Sequence, residues 1–192
     1  MLLGTESEMY LKLIGLALLL SVTACGGGSE NDGSRFKKNN NTKEVSQNVA
    51  LASNGGSIQS ATYDSNAAKY AIDGDTTTSN YWAGNTADEN FVISFQDSAE
   101  LTKVDVYTNI STGERSNPPI TIEVSTNQRT WRTLVGTPSN GGIQCSNSAF
   151  SGNKFLCFIA NEDARYIRIG TNSGDVNIYE VEVTGTVTVP IN

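Results

Sequence analysis

Short apolar runs, separated by clusters of glycine, asparagine, aspartate and serine, fill residues 48–189 and constrain the fold of this chain more than any other feature. In several runs apolar and polar residues alternate, which is the period of a strand that buries one face. This pattern predicts an all-β, antiparallel sandwich of about eight strands. The predicted strands cover residues 48–53, 90–95, 101–108, 120–125, 130–135, 154–160, 164–170 and 176–189, with one short helical segment at 66–73.

The last predicted strand carries an irregularity near an acidic residue. Ile178, Val181 and Val183 cannot all lie on one face of a regular strand, because successive side chains point to opposite faces. One extra residue near Glu180 would bring the three apolar side chains to the same side. We therefore predict a β-bulge at this point.

The first 24 residues have the order of an export signal. One lysine precedes an apolar run from Leu13 to Val22, and small residues then lead to Cys25. The run is too short for a stable membrane span and is typical of a secretory signal peptide. The residues before Met9 are acidic, which is unusual in such a signal, so translation is expected to begin at Met9 rather than at Met1.

The residues VTAC at 22–25 resemble the lipobox of bacterial lipoproteins, in which the cysteine becomes the acylated first residue after cleavage. A lipoprotein signal peptide would then cover residues 1–24, and a lipid on Cys25 would anchor the chain in the cell envelope. Gly26, directly after the cysteine, favours the outer membrane. A plain secretory signal with a chance cysteine is the alternative.

Residues 25–46 contain almost no apolar side chains and are rich in glycine, serine and asparagine. Such a segment cannot bury enough surface to offset the entropy that it would lose on ordering. We therefore expect the lipidated cysteine and a flexible tether over 25–46, followed by one folded domain over 47–189.

Three cysteines are present, and the lipidation prediction uses one of them. Cys145 and Cys157 remain, and an even pair in an exported protein indicates a disulfide. Two free, buried thiols are the alternative.

The composition argues against several function classes. From residue 46 onward eight Lys and Arg stand against fifteen Asp and Glu, which gives this part a net charge of −7. An acidic domain disfavours nucleic acid and anionic lipid as partners, so membrane contact is expected only through the N-terminal lipid.

The chain has no histidine, which removes the commonest general base and every His-based triad. No isolated acidic pair suggests acid–base catalysis, and an enzyme is not expected.

Several segments, taken in their order and spacing, resemble the discoidin family, also called the coagulation factor five/eight type C domain. The resemblance covers about residues 47–185 and implies a galactose-binding-like jelly-roll β-sandwich. Phe91 stands where the family has a tryptophan, and Gln96 departs from its Asp-Leu-Gly ending. The matching segments are NVALAS at 48–53, AIDGD at 71–75 followed by Trp82, FVISF at 91–95, TIEVSTNQRTW at 121–131, ARYIRIG at 164–170 and YEVEVTG at 179–185.

The resemblance implies a structural calcium ion (Ca2+) at the acidic stretch AIDGDTTT. Many sugar-binding members of the family hold calcium there, and a glutamate of the last strand closes the site. The residues carried over are Asp73, Asp75, Thr78 and Glu180, which offer the oxygen ligands that calcium prefers. The alternative is an Asp-Gly turn in which Asp73 accepts a hydrogen bond from its own backbone.

Loops at one end of a sandwich are a common place for a ligand site. Arginine, amide and aromatic side chains there match the hydroxyl groups and the apolar face of a sugar. Trp82 and Trp131 are interpreted as core residues, and Arg165 and Arg168 as structural. The predicted ligand-binding residues are Arg115, Tyr81, Tyr63, Asn117 and Asn85, with Arg115 as the first candidate.

These features predict a non-catalytic carbohydrate-binding module, displayed on the bacterial cell envelope and stabilised by calcium. Bacterial members of the family that are similar in style bind carbohydrate, which the resemblance extends to this chain. The alternative is a protein-interaction or adhesion module of a surface lipoprotein. Phospholipid recognition is disfavoured by the negative charge of the domain.

Overall fold

The computed structural model describes residues 41–110, 119–136, 145–172 and 175–191. These residues form nine strands and two 3₁₀ helices, so the predicted all-β fold is confirmed. The 3₁₀ helices are Ala52–Asn54 and Ala68–Ile72. Among the same residues, no helix has the length and apolarity that crossing a membrane requires. The strands are β1 (Thr42–Asn48), β2 (Ser57–Ala61), β3 (Trp82–Gly84), β4 (Asn90–Thr108), β5 (Ile120–Ser125), β6 (Arg132–Val135), β7 (Asn147–Ser151), β8 (Lys154–Thr171) and β9 (Val176–Pro190).

Two long strands, β4 and β8, organise the sandwich because each contributes to both layers. The first part of β4 pairs with β2 and with the end of β8, whereas its second part pairs with β9 and with the beginning of β8. One layer therefore has the order β2–β4–β8–β5–β6, and the other has the order β1–β9–β4–β8–β7. All pairings are antiparallel, and a register shift between Ser94 and Ala99 marks the passage of β4 from one layer to the other.

The space between the layers holds the hydrophobic core. Apolar side chains from both layers are withdrawn from water, which is the main force that holds such a sandwich together. Trp82 is completely buried, as the sequence predicted, and its ring packs edge-on against Phe91 at 4.9 Å between centroids. The largest fully buried apolar side chains are Trp82, Phe91, Ile93, Leu101, Ile120, Ile122, Leu134, Ile167, Ile169 and Ile178.

The predicted bulge in β9 is confirmed, and it places one acidic residue in an unusual position. Tyr107 pairs with Glu180 while Thr108 pairs with Ile178, so Tyr179 is the extra residue of the bulge. The shift allows the apolar residues on both sides of the bulge to enter the core. Glu180 consequently lies on the opposite side of this layer, yet its side chain is fully buried.

The N-terminal boundary of the domain differs from the expected one. Strand β1 begins at Thr42 and pairs with β9 from Thr184 to Pro190, whereas the sequence placed residues 42–46 in the tether. The side chains of this strand are mostly exposed, so it has no apolar pattern, and main-chain hydrogen bonds to β9 define it. The predicted signal peptide over 1–24, Cys25 and the tether up to residue 40 lie outside the described residues.

Other strand boundaries also differ from those predicted from the sequence, because apolar patterns do not mark where an extended segment begins or ends. The segments 90–95 and 101–108, expected to be separate, belong to one strand because the exposed residues Gln96, Asp97 and Ser98 stay extended between them. Likewise, 154–160 and 164–170 are both parts of β8. The segment expected as a strand at 48–53 instead enters a 3₁₀ helix at Ala52.

The predicted disulfide is confirmed between Cys145, which precedes β7, and Cys157 in β8. The two Cα atoms lie 5.3 Å apart. The bond fastens the segment that leads into β7 to a buried position of β8, since the Cys157 side chain has no exposed surface.

Candidate functional site

Several loops meet at one end of the sandwich, where β4 starts and β8 stops. The Asp88 amide donates to the Thr171 carbonyl at 2.8 Å, and the Thr171 amide donates to the Glu89 carbonyl at 2.9 Å. The Asn172 amide donates to the carbonyl of Pro119, just before β5, at 3.1 Å. These main-chain bonds fix the strand ends relative to one another. We refer to residues 62–64, 82–90, 119–121 and 170–172 as the loop end.

A cleft of about 290 Å³ opens at the loop end, along the outer side of β8, β5 and β6. We call it the polar cleft, because its side chains carry hydroxyl, amide, carboxylate and guanidinium groups. Gly170 forms part of its wall, and a Cβ atom there would lie 2.6 Å from Thr121 Oγ1, so a larger residue would force the wall to move. The lining residues are Asp88, Glu89, Asn90, Thr121, Glu123, Thr133, Arg168, Gly170 and Thr171.

A single cationic side chain, that of Arg168, lies among the described residues that line this cleft, and it is held from two directions. Its Nε atom donates to Glu123 Oε2 at 2.6 Å, a charge-assisted bond between neighbouring strands. Its guanidinium also lies 4.4 Å from the centroid of the Trp131 ring, a cation–π contact. Trp131 is half-buried on this outer side, so its interpretation as a core residue is wrong.

The acidic rim of the cleft is organised by main-chain hydrogen bonds. Glu89 Oε2 accepts the amide protons of Asn85 at 2.6 Å and Thr86 at 3.2 Å. Thr171 Oγ1 donates to the Thr86 carbonyl at 2.8 Å. Asp88 has a φ of 71°, a left-handed conformation that aspartate adopts more readily than most residues. Asn85, one of the predicted ligand-binding residues, therefore borders the cleft through its contact with Glu89.

Of the two predicted tyrosines, Tyr63 belongs to the loop end and Tyr81 directly precedes its segment 82–90, but neither lines the cleft. Tyr63 and Tyr81 are 41% and 42% exposed. The main-chain carbonyl of Tyr63 accepts a 2.7 Å hydrogen bond from Nε1 of the buried Trp82. Tyr81 packs edge-on against Tyr179 at 6.0 Å between ring centroids. Both side chains are thus partly accessible at the surface. Arg115 and Asn117, the remaining predicted ligand-binding residues, lie outside the described residues.

The acidic stretch that resembles a calcium loop lies against Glu180. The Gly74 amide donates to Glu180 Oε2 at 3.1 Å, and the φ of 87° at this residue is one that glycine adopts without strain. Asp73 Oδ1 accepts the Asp75 amide at 2.8 Å, which is the turn proposed as the alternative to a metal site. Asp75 Oδ1 in turn accepts the Thr77 amide, and this bond lowers the pKa of the Asp75 carboxyl.

The remaining predicted calcium ligand, Thr78, is exposed on the same loop. The structure therefore brings Asp73 and Glu180 together, whereas Asp75 and Thr78 lie further along the turn. Within the described ranges, no three Asp, Glu or Cys side chains form a group that could hold a metal ion by themselves. Any cation at this place would need main-chain oxygens as well as carboxylates.

The environment of Glu180 is electrostatically unfavourable for a carboxylate. Its Oε1 atom is buried and has no hydrogen-bond partner among the described residues. Burial is the main reason that the pKa of Glu180 rises to about 7, and the charges of Asp73 and Glu182 raise it further. The hydrogen bond from Gly74 opposes these effects only in part. An unpartnered, buried carboxylate oxygen is a position that a cation would satisfy.

Sequence analysis missed most of the residues that form the polar cleft. They come from four separate segments of the chain, and only the strand pairing brings them together. One signal was present: Glu123 and Arg168 carry opposite charges in two predicted strands, and they are a direct cross-strand pair in the β5–β8 ladder. Without the strand order, this pair could not be recognised.

Comparisons with known proteins give two kinds of match. A family model described as the F5/8 type C domain matches residues 52–182. The module CpGH89CBM32-6 produced by Clostridium perfringens superposes with a TM-score of 0.54 at 16% sequence identity, over 71% of this chain and 98% of that chain. The fucolectin from striped bass (Morone saxatilis) serum superposes with a TM-score of 0.51 at 24% identity, over 73% of this chain and 48% of that chain. No curated protein matches. The two structural likenesses confirm the galactose-binding-like fold.

Proposed function

Because this chain belongs to the F5/8 type C domain family, we propose that it is a non-catalytic carbohydrate-binding module, held on the bacterial cell envelope and stabilised by structural calcium. The polar cleft is the observation that carries this proposal. Its threonine hydroxyls, the Asn90 amide and the Arg168 guanidinium are groups that bind the hydroxyls of a sugar. Arg168 is already fixed by Glu123 and Trp131, so little side-chain entropy is lost on binding.

Exposed aromatic rings support the same function. Tyr63 and Tyr81 are partly exposed at or next to the loop end, and an aromatic ring suits the apolar face of a pyranose ring. The fucolectin that shares the fold is, by its own name, a lectin.

The proposed calcium site lies between the turn at residues 73–75 and β9. Glu180 Oε1 and the Asp73 carboxylate would be its anionic ligands, and Asp75 and Thr78 would add oxygen atoms from the same turn. A divalent cation there would offset the repulsion between the two carboxylates and satisfy the unpartnered oxygen. Its role would be to stabilise the loop rather than to take part in chemistry.

The proposed tether from Cys25 leads into the end of the domain that lies opposite the loop end. Strand β1, which follows the proposed tether, pairs its first residue, Thr42, with Pro190 at the far end of β9. The opposite end of β9, Val176, pairs with Gly84 of the loop end. These two ends of β9 are about 45 Å apart along the strand. A lipid anchor at the N-terminus would therefore be attached, through the proposed flexible tether, to the end of the domain opposite the loop end.

The sugar-binding proposal is tested with a glycan array probed by the full chain carrying Cys25→Ser, which removes the lipidation site. We expect retention of a defined set of glycans, weakened by Arg168→Ala. Arg165→Ala is the matched control, because it removes an exposed arginine of the same strand, and it should leave glycan retention unchanged. Retention of no glycan by a folded protein would refute the proposal and favour the protein-interaction alternative.

The anchoring proposal has its own test. Cells expressing the wild-type chain are labelled with a radioactive fatty acid, and envelope fractions are separated. We expect label on the wild-type chain in the outer-membrane fraction and none on the Cys25→Ser variant. Equal release of both chains into the periplasm without label would show a plain secretory signal instead.

A further inference from the structure

We propose that the polar cleft selects an amino sugar, a ring that carries a free, protonated amine beside its hydroxyl groups. This inference rests on the proposed carbohydrate-binding function and adds the charge of the ligand to it. Three observations carry it: the uncompensated charge of the cleft, the hydrogen bonds that hold the Glu89 carboxylate and the main chain of Asp88, and the size and polarity of the cleft.

The cleft carries more negative charge than its own arginine can neutralise. Three carboxylates, those of Asp88, Glu89 and Glu123, line it together with Arg168. Glu123 forms an ion pair with Arg168, so these two side chains neutralise each other. Among the described residues, neither Asp88 nor Glu89 lies within ion-pair distance of a lysine or arginine. The cleft therefore offers two unpaired carboxylates to a ligand.

The Glu89 carboxylate and the main chain that carries the Asp88 carboxylate are held in place before any ligand arrives. The amide protons of Asn85 and Thr86 fix one oxygen of Glu89. The main chain of Asp88 is held by the hydrogen bond from its amide to Thr171 and by the bond that its carbonyl accepts from Asn90 Nδ2 at 3.1 Å. Fixed acceptors lose little entropy when they bind a donor, so they favour a ligand with an ammonium group in one defined place.

Size and polarity restrict the ligand further. A volume of about 290 Å³ lies at the lower limit of small-molecule pockets, which suits a single sugar ring better than a larger apolar ligand. Thr121 and Thr133 supply hydroxyl groups to the lining of the cleft. The Arg168 guanidinium, whose charge is neutralised by Glu123, can donate a hydrogen bond to a ring hydroxyl. A ligand that carries one amine and several hydroxyls satisfies every side of the cleft.

Three tetrasaccharides with the same β-1,4 linkage test this inference, because they differ only at carbon 2 of each ring. They are the oligomers of glucosamine, of N-acetylglucosamine and of glucose, which carry an amine, an acetamide and a hydroxyl. Affinities of the full chain with Cys25→Ser are measured by titration calorimetry at low salt. A charge pair in contact with water changes a binding constant about fivefold, so two carboxylates should favour the amine about tenfold or more.

Two variants localise the effect. Asp88→Asn retains the left-handed backbone, which asparagine tolerates, and should reduce the preference for the amine about fivefold. Asp175→Asn is the matched control, since Asp175 is also exposed, has a φ of 64° and does not line the cleft. The control should behave as the parent chain does. Salt at 1 M should remove most of the preference, because it screens exposed charges.

The outcomes separate this inference from the proposed function. Equal binding of the three tetrasaccharides, or an amine preference that Asp88→Asn leaves undiminished, would overturn the amino-sugar inference while leaving sugar binding in place. Binding of neutral glycans on the array with no binding of the glucosamine oligomer would do the same. If no glycan of any kind binds, the proposed function and this inference fail together. A calcium titration that competes with the glucosamine oligomer at the cleft would also contradict the inference.

Discussion

Removal of the charge on Glu180 should abolish a loss of stability that this domain otherwise shows, in the absence of metal, as the pH rises. The Glu180 side chain is fully buried, and the pKa of its carboxyl rises from an ordinary 4.5 to about 7, mainly through burial. A pKa difference of this size between the folded and the unfolded chain corresponds to about 3 kcal/mol. The folded, metal-free chain holds a proton that the unfolded chain has already released between these two pH values.

The sign of the effect follows from that proton. In EDTA, the contribution of Glu180 to the free energy of unfolding should be fully present below about pH 4.5 and should fall by about 3 kcal/mol as the pH rises through 7. Glu180→Gln should abolish this fall, so that at pH 8 in EDTA the variant is more stable than the parent chain. Calcium should stabilise the parent chain by mass action and leave Glu180→Gln unaffected.

Urea unfolding at pH 5, 6, 7 and 8, each in EDTA and in calcium, measures all of these quantities. Glu100→Gln serves as the control, because Glu100 is an exposed carboxylate on β4. A parent chain whose stability in EDTA does not fall from pH 5 to pH 8 relative to Glu180→Gln would refute the electrostatic reasoning. Equal stabilisation of the parent chain and Glu180→Gln by calcium would refute the assignment of Glu180 as a ligand.

Three further changes test how the sandwich is held together. Joint replacement of Cys145 and Cys157 by serine should lower the free energy of unfolding by about 2–3 kcal/mol, measured by urea denaturation against the oxidised parent. Asp105→Ala should lower the free energy of unfolding by about 2 kcal/mol in the same assay, because this buried carboxylate pairs with two lysines at 2.8 and 3.1 Å. A loss below about 0.5 kcal/mol, which is the size of an ordinary surface substitution, would contradict this reasoning. Gly56→Ala should lower the melting temperature clearly, because its Cβ atom would lie 1.9 Å from the main-chain oxygen of Ala50; an unchanged melting temperature would show that the main chain can move aside.

The fold could be predicted wherever strands bury one face. Strand β5 was predicted with its observed bounds, because ITIEVS alternates between fully and partly buried positions. Strands β2 and β7 were missed, since their sequences SIQSA and NSAFS are polar and mostly exposed. Their extended conformation depends on ladders with β4 and β8, and a single sequence does not contain that pairing.

The candidate site likewise has one part that could be predicted from the sequence and one part that could not. Glu180 could be identified from the resemblance, but its burial arises from the bulge at Tyr179 and from the turn around Gly74, which only the folded chain displays. The polar cleft had no counterpart in any local motif. Asp88 and Arg168 lie 80 residues apart and share a wall only because β4 and β8 are neighbours.

The proposed calcium site and the polar cleft are joined through the first residues of β9, so removal of calcium should weaken sugar binding as well as stability. Glu180 lies four residues after Val176, which pairs with Gly84 of β3. A Cβ atom on Gly84 would lie 2.5 Å from the side chain of Thr171, so this strand packs tightly against a residue that lines the cleft. In EDTA, repulsion at Glu180 should loosen the start of β9, and we expect the affinity for a glycan that binds the parent chain to fall severalfold. Glu180→Gln, which is expected not to respond to calcium, should give the same affinity with and without EDTA. An affinity that is insensitive to EDTA in the parent chain, at a concentration that lowers its melting temperature, would show that β9 does not transmit the loss of metal to the cleft.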